Sequence, residues 1–144
     1  LTIGLGADSA ASNNKLDLWG EMRLASLVHK ARTQDATVVP ASTALQMATY
    51  YGAMVLHLEK VGRLQPGWAA DLILVDTEGL HWYPPSDRQA SVVYSGQRTD
   101  VELVMVDGHI VYEDGELLTI DEDKVRYHID QSARRLGLLP VNPM

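Results

Sequence analysis

The chain has no cysteine, no phenylalanine, no apolar run long enough to span a bilayer, and too few basic residues to balance its acids. Without cysteine there is no disulfide framework and no thiolate metal site, so any metal must be held by histidine or carboxylate ligands. That usage fits a reducing cytoplasm, which is the expected location. Twelve Lys and Arg against 19 Asp and Glu give a net charge of −7. A surface with a pI near 5.0 attracts neither nucleic acid nor an anionic membrane, so neither is expected as a partner. Leu1-Thr2-Ile3 lacks the basic start of a signal peptide. What is there is 144 residues, 46% of them apolar, enough to build a core. The sequence opens on Leu inside an apolar stretch, and we expect a fragment of a longer protein.

That stretch, Ile3 to Ala7, has the composition of a buried strand and delivers one carboxylate, Asp8, into a loop of small and amide side chains ending at Asn14. In parallel α/β architectures catalytic groups sit where strands end, which makes Asp8 a candidate chemical group. The competing reading is an N-cap or turn aspartate.

Lys15 to Arg32 follows helical periodicity, with Leu18, Met22, Ala25 and His29 on one stripe and Leu24, Leu27, Val28 and Ala31 beside it. Asn13 or Asn14 is the expected cap, with Ser12 also assigned to capping. Pro40 suits the first turn of a second helix through Tyr50, with a further turn or two over Met54 to Leu58. Ala48 and Gly52 are spaced for close approach by another element. Ala70 to Asp76 reads as a buried strand, Thr77 to Ala90 as a loop packed by Trp82 and Tyr83, and Ser91 to Ser95 is ambiguous. Asp107-Gly108 between two apolar runs predicts a type I′ hairpin, and Asp114-Gly115 a second turn. Asp121 starts a final helix with Val125 and Ile129 inward, ending near Gly137, and Leu138 to Met144 is a loosely held tail. Strands without partners in the chain imply missing chain, a partner chain or a homo-oligomer.

Four segments in this order carry a resemblance: Gly4 to Asp17 with Glu21-Met22-Arg23; Ala44 to Thr49 with Gly52-Ala53; Val61 to Asp76; and Val104 to Val111. Together they resemble the amidohydrolase superfamily, in the branch of the 5-methylthioadenosine/S-adenosylhomocysteine deaminases and related chlorohydrolases and guanine deaminases. Ala7, His57 and Trp68 depart from residues frequent in that family, and none of them removes a catalytic group. The resemblance implies an α/β chain, the C-terminal fragment of a (β/α)8 barrel metal-dependent hydrolase plus part of its composite β-sandwich domain. Residues 1–60 would be the last strand and helices of the barrel, 61–120 the sandwich strands, and 121–144 the C-terminal helix and tail. It further implies hydrolytic deamination of a purine-like small-molecule substrate with one divalent ion, zinc or iron. Asp8 would contact that ion and take a proton from the attacking water, with Ser9 and Asn13 bordering substrate. The remaining ligands would lie upstream of Leu1, so the 144-residue chain alone would be inactive. Two other readings stay open, a non-catalytic remnant used for assembly or binding, and a hydrolase of cyclic amides or chlorinated heterocycles.

Other patterns are weaker. His29, His57, His81, His109 and His128 show no ligand spacing and read as structural. Gly4-x-Gly6-x-x-Ser9 lacks the third glycine of a dinucleotide loop, and no Gly-x-Ser-x-Gly elbow surrounds Ser9 or Ser12.

Overall fold

The computed structural model describes residues 1–138. It combines helices and strands in the order α1 (Leu18–Thr33), α2 (Ala41–Ala48), α3 (Tyr50–Val55), β1 (Leu72–Val75), α4 (Arg88–Tyr94), β2 (Val101–Val106), β3 (His109–Glu113), β4 (Glu116–Leu117) and α5 (Glu122–Arg135).

Helix α1 begins where Asp17, not Asn13 or Asn14, accepts a hydrogen bond from the Gly20 N–H at 3.1 Å. Glu21 in its first turn and Lys30 and Arg32 in its last complement the helix dipole. Its buried face takes Met22 from the first expected stripe and nothing from the second. Met22 and Ser26 are buried, whereas Leu24, Leu27 and Val28 are about half exposed. The reason is that α2 and α4 contact α1 on one side only, around Met22, Ala44 and Val93. Leu5, Trp19, Val39 and Leu45 complete that core.

Polar groups lock the same junction. Trp19 Nε1 donates to the Val92 carbonyl at 2.7 Å and Arg23 to the Gly96 carbonyl at 2.9 Å. The fully buried Ser26 hydroxyl lies 2.7 Å from both the Val39 carbonyl and the Tyr94 hydroxyl, and Lys30 donates to Tyr94. With one proton on Ser26 given to Val39, proton counting makes the relay run Lys30 to Tyr94 to Ser26 to Val39. The Lys30 ammonium, donating to the phenol oxygen, holds Tyr94 below its ordinary pKa.

The second helical stretch forms, but in two pieces. Thr49 breaks it at φ −122° and ψ −96°, and its hydroxyl donates back to the Leu45 carbonyl at 2.8 Å, a bond that bends helices. Residues 88–90, expected as the end of the loop, and 91–94, ambiguous in sequence, together form α4, capped by Asp87, which accepts from the Ala90 N–H at 2.9 Å. Trp82 packs inside the preceding loop as expected, while Tyr83 stays outside, 62% exposed.

The four strands form one antiparallel sheet in sequential order. Asp107 and Gly108 both take positive φ, as do Asp114 and Gly115, so both expected tight turns are present. Two readings need correction here. The strand near Ala70 to Asp76 is present but not buried, since Ile73 and Leu74, which point to opposite faces of the sheet, are both about half exposed. Helix α5 is present, capped by Asp121, yet Val125 and Ile129 point to solvent and the helix has no buried residue. The tail reading falls, from residue 139 on, outside the described residues.

Candidate active site

The segment from Ile3 to Ala7 does not form a strand, because among the described residues it has no neighbouring strand to pair with. Nor is it fully buried, with Ile3 half exposed. It is held instead by the helix break. Leu5 N–H donates to the Met47 carbonyl at 3.0 Å. A Cβ on Gly4 would stand 3.0 Å from the Cα of Gly52, so the close approach signalled by Gly52 is made by this segment.

Beyond Ala7 the chain turns at Asp8, which takes φ 59°, a left-handed conformation that Asp tolerates better than most residues. The turn is closed by the Ser12 and Asn13 N–H groups, which both donate to the Ser9 carbonyl, at 3.1 and 2.8 Å. The Asp8 carboxylate is exposed and receives one donor on each oxygen. Ser9 N–H reaches Oδ1 at 2.8 Å and Ser12 Oγ reaches Oδ2 at 2.7 Å. The Ser12 bond first, and the Ser9 N–H second, hold its pKa below the ordinary aspartate value. Asp8 is therefore ionised at neutral pH, the form that binds a metal or accepts a proton.

Ser9 and Asp8 are thus brought together, with the Ser9 hydroxyl 3.2 Å from that of Ser12. Asn13 turns the other way. Its amide donates to Glu21 Oε1 at 3.0 Å and its oxygen accepts from the Lys15 N–H at 3.2 Å, tying the loop to α1. Ser12, assigned to capping from sequence, is instead a direct partner of Asp8; capping is done five residues later by Asp17. The i to i+4 spacing of Asp8 and Ser12 was visible in the sequence, but it acquires meaning only from the left-handed turn at Asp8.

An exposed carboxylate whose oxygens each carry a single donor retains lone pairs for a cation, so Asp8 suits one position of a zinc-type site. It is one ligand and no more. Among the described residues no group of three His, Asp or Glu side chains could hold a metal ion. His81 is engaged with Asp100 at 2.9 Å and His109 with the Asp107 carbonyl at 3.0 Å. No helix among the described residues is long and apolar enough to cross a membrane.

Residues 1–111 match the amidohydrolase family. Over 137 residues the chain is 45% identical to a 5-methylthioadenosine/S-adenosylhomocysteine deaminase of Acetivibrio thermocellus, covering 94% of this chain and 32% of that protein. A deaminase of the same name from Pelotomaculum thermopropionicum is 47% identical over 134 residues, covering 93% and 31%. The chain spans about a third of the length of these curated relatives. Among solved structures, an adenosine deaminase from Xanthomonas campestris with bound zinc superposes with a TM-score of 0.90 at 31% identity, over 96% of this chain and 32% of that one. The atrazine chlorohydrolase TrzN from Arthrobacter aurescens, complexed with zinc, gives 0.82 at 26% identity, over 91% and 29%.

Proposed function

This chain belongs to the amidohydrolase family, and from that premise we propose that it is the C-terminal part of a metal-dependent enzyme that hydrolytically deaminates an adenosine-type substrate. The observation that carries the reading is the Asp8 carboxylate, exposed, ionised and oriented by Ser9 and Ser12 at the tip of a segment anchored on α2. On this reading residues 1–60 close a (β/α)8 barrel, 61–120 contribute strands to a small sandwich domain, and 121–144 form the terminal helix and tail. Exposed apolar side chains on α1, β1 and α5 are the surfaces on which the rest of the barrel, a partner chain or a second copy would pack. A cysteine-free chain suits the cytoplasm.

Asp8 would hold a divalent ion, zinc or iron, with ligands from outside these 144 residues. Such an ion supplies Lewis-acid polarisation and lowers the pKa of a water towards neutrality. Asp8 accepts the water's proton at a carboxylate oxygen and passes it to the exocyclic nitrogen. The water oxygen adds to the ring carbon, the carbon–nitrogen bond breaks and ammonia leaves. The Ser9 hydroxyl, exposed beside Asp8, is the candidate for touching substrate. Asn13 spends one N–H on Glu21 and one lone pair on Lys15, which leaves its second N–H and second lone pair for substrate. The zinc-complexed chlorohydrolase neighbour favours chloride loss from a heterocycle as the second reading.

The test is turnover by the full-length protein, followed as loss of ultraviolet absorbance with an adenosine-type nucleoside and, in parallel, a chlorinated triazine. Asp8→Asn keeps the shape and removes the basicity, so deamination should fall about a hundred- to ten-thousand-fold while the melting midpoint holds. Retention within about tenfold, well short of that general-base range, would make Asp8 structural. Faster turnover of the triazine would select the second reading.

A further inference from the structure

We propose, resting on the deaminase reading above, that Ser12 is a positioning residue which fixes the plane of the Asp8 carboxylate through its hydroxyl. Two ordinary jobs for a serine here are already done by other groups. The turn is closed by backbone, since the Ser12 and Asn13 N–H groups both bond the Ser9 carbonyl without help from the hydroxyl. Helix α1 is capped by Asp17, whose carboxylate takes the Gly20 N–H. What is left for the hydroxyl is the choice among three acceptors. Asp8 Oδ2 lies at 2.7 Å, Ser9 Oγ at 3.2 Å and the Ser9 carbonyl at 3.3 Å. Its single proton goes to the shortest and the only charged one, a charge-assisted bond stronger than either alternative.

Among the described residues Asp8 has no packing contact that could do the work of this bond. The carboxylate is exposed, so the rotation that decides which lone pairs face the reacting atoms is restrained by two hydrogen bonds alone. One comes from Ser9 N–H on Oδ1 and holds the near oxygen. The other comes from Ser12 on Oδ2, and without it the carboxylate swings about the first. Partners that orient a ligating carboxylate are worth about 10- to 100-fold in metal affinity or activity.

The experiment compares wild type, Ser12→Ala, Ser12→Thr and Asp8→Asn in the full-length protein, reading kcat and KM on an adenosine-type nucleoside, zinc affinity by chelator competition, and the melting midpoint. Ser12→Ala should lower kcat and weaken zinc retention by about 10- to 100-fold, with KM and midpoint little moved. Ser12→Thr, which keeps the hydroxyl, should recover most of the loss. Wild-type kcat and zinc affinity in Ser12→Ala beside an inactive Asp8→Asn would overturn the positioning role and leave the deaminase reading standing. A loss in Ser12→Thr as deep as in Ser12→Ala, or one matched by a falling midpoint, would equally overturn it. An active Asp8→Asn would remove the deaminase reading itself.

Discussion

In the turn around Asp8 each side-chain hydrogen bond on the carboxylate joins residues one or four positions apart and lies in solvent. At the junction of α1 with α4 the bonds from Trp19, Arg23 and Lys30, and the one Ser26 accepts from Tyr94, join residues 64 to 73 positions apart and are partly buried. The first arrangement aims a group without holding any two distant parts of the chain together. The second holds distant parts together and aims nothing. Local exposed bonds contribute little to global stability because the unfolded chain can form or replace them cheaply, whereas long-range buried ones vanish on unfolding and cost desolvation if half broken. Chemistry and stability should therefore separate by mutation.

The Asp8 and Ser12 variants described above are expected to change turnover and leave the melt alone. Changes in the helical unit should do the reverse. The largest is Val93→Ala, which removes two methyl groups from a fully buried side chain and should destabilise by roughly 2 to 3 kcal/mol, lost transfer energy and cavity together. Tyr94→Phe comes next. It strips the middle of the relay and leaves Lys30 and Ser26 without their shared partner, a cost of about 1 to 3 kcal/mol. Asp17→Ala removes the cap of α1 and should cost about 1 kcal/mol. Each is read as a drop in the denaturation midpoint of the full-length protein, with kcat per folded molecule unchanged. A variant of this set that loses kcat without losing midpoint would show that the two regions are coupled.

How much could be read beforehand follows the same division. Asp107-Gly108 and Asp114-Gly115 were legible because few residue pairs accept positive φ twice in succession. The seven residues of α4 were not, since a helix of two turns offers too short a period and its cap at Asp87 follows Pro84 and Pro85 closely. The apolar stripes of α1 were legible as stripes, and that of α5 was legible as a stripe but wrongly taken as inward. Periodicity reports that Leu24, Leu27, Val125 and Ile129 share faces; it does not report whether anything in the chain covers those faces. The expected strand at Ile3 to Ala7 failed for the same reason, its composition being that of a strand while its partners are not among the described residues. At the site, Asp8 stood out as a lone acid after an apolar run. Ser12 did not, because its bond depends on a backbone turn that no residue count announces.

The meeting of Gly4 with Gly52 also bears on how the acid is calibrated. Gly6 and Ala7 alone lie between Leu5, bonded to Met47, and Asp8, three backbone steps or about 10 Å at full extension, and the contact at its root is backbone against backbone with no side chain between. The datum from which the carboxylate's height is measured is thus the path of the main chain through the bend at Thr49. The exposed Gln46 side chain of α2 can be exchanged without moving that datum, while any change in the bend is carried outward to the tip. The pivot of the arm that carries Asp8 lies in a helix defect, and its tolerance is the thickness of two glycines.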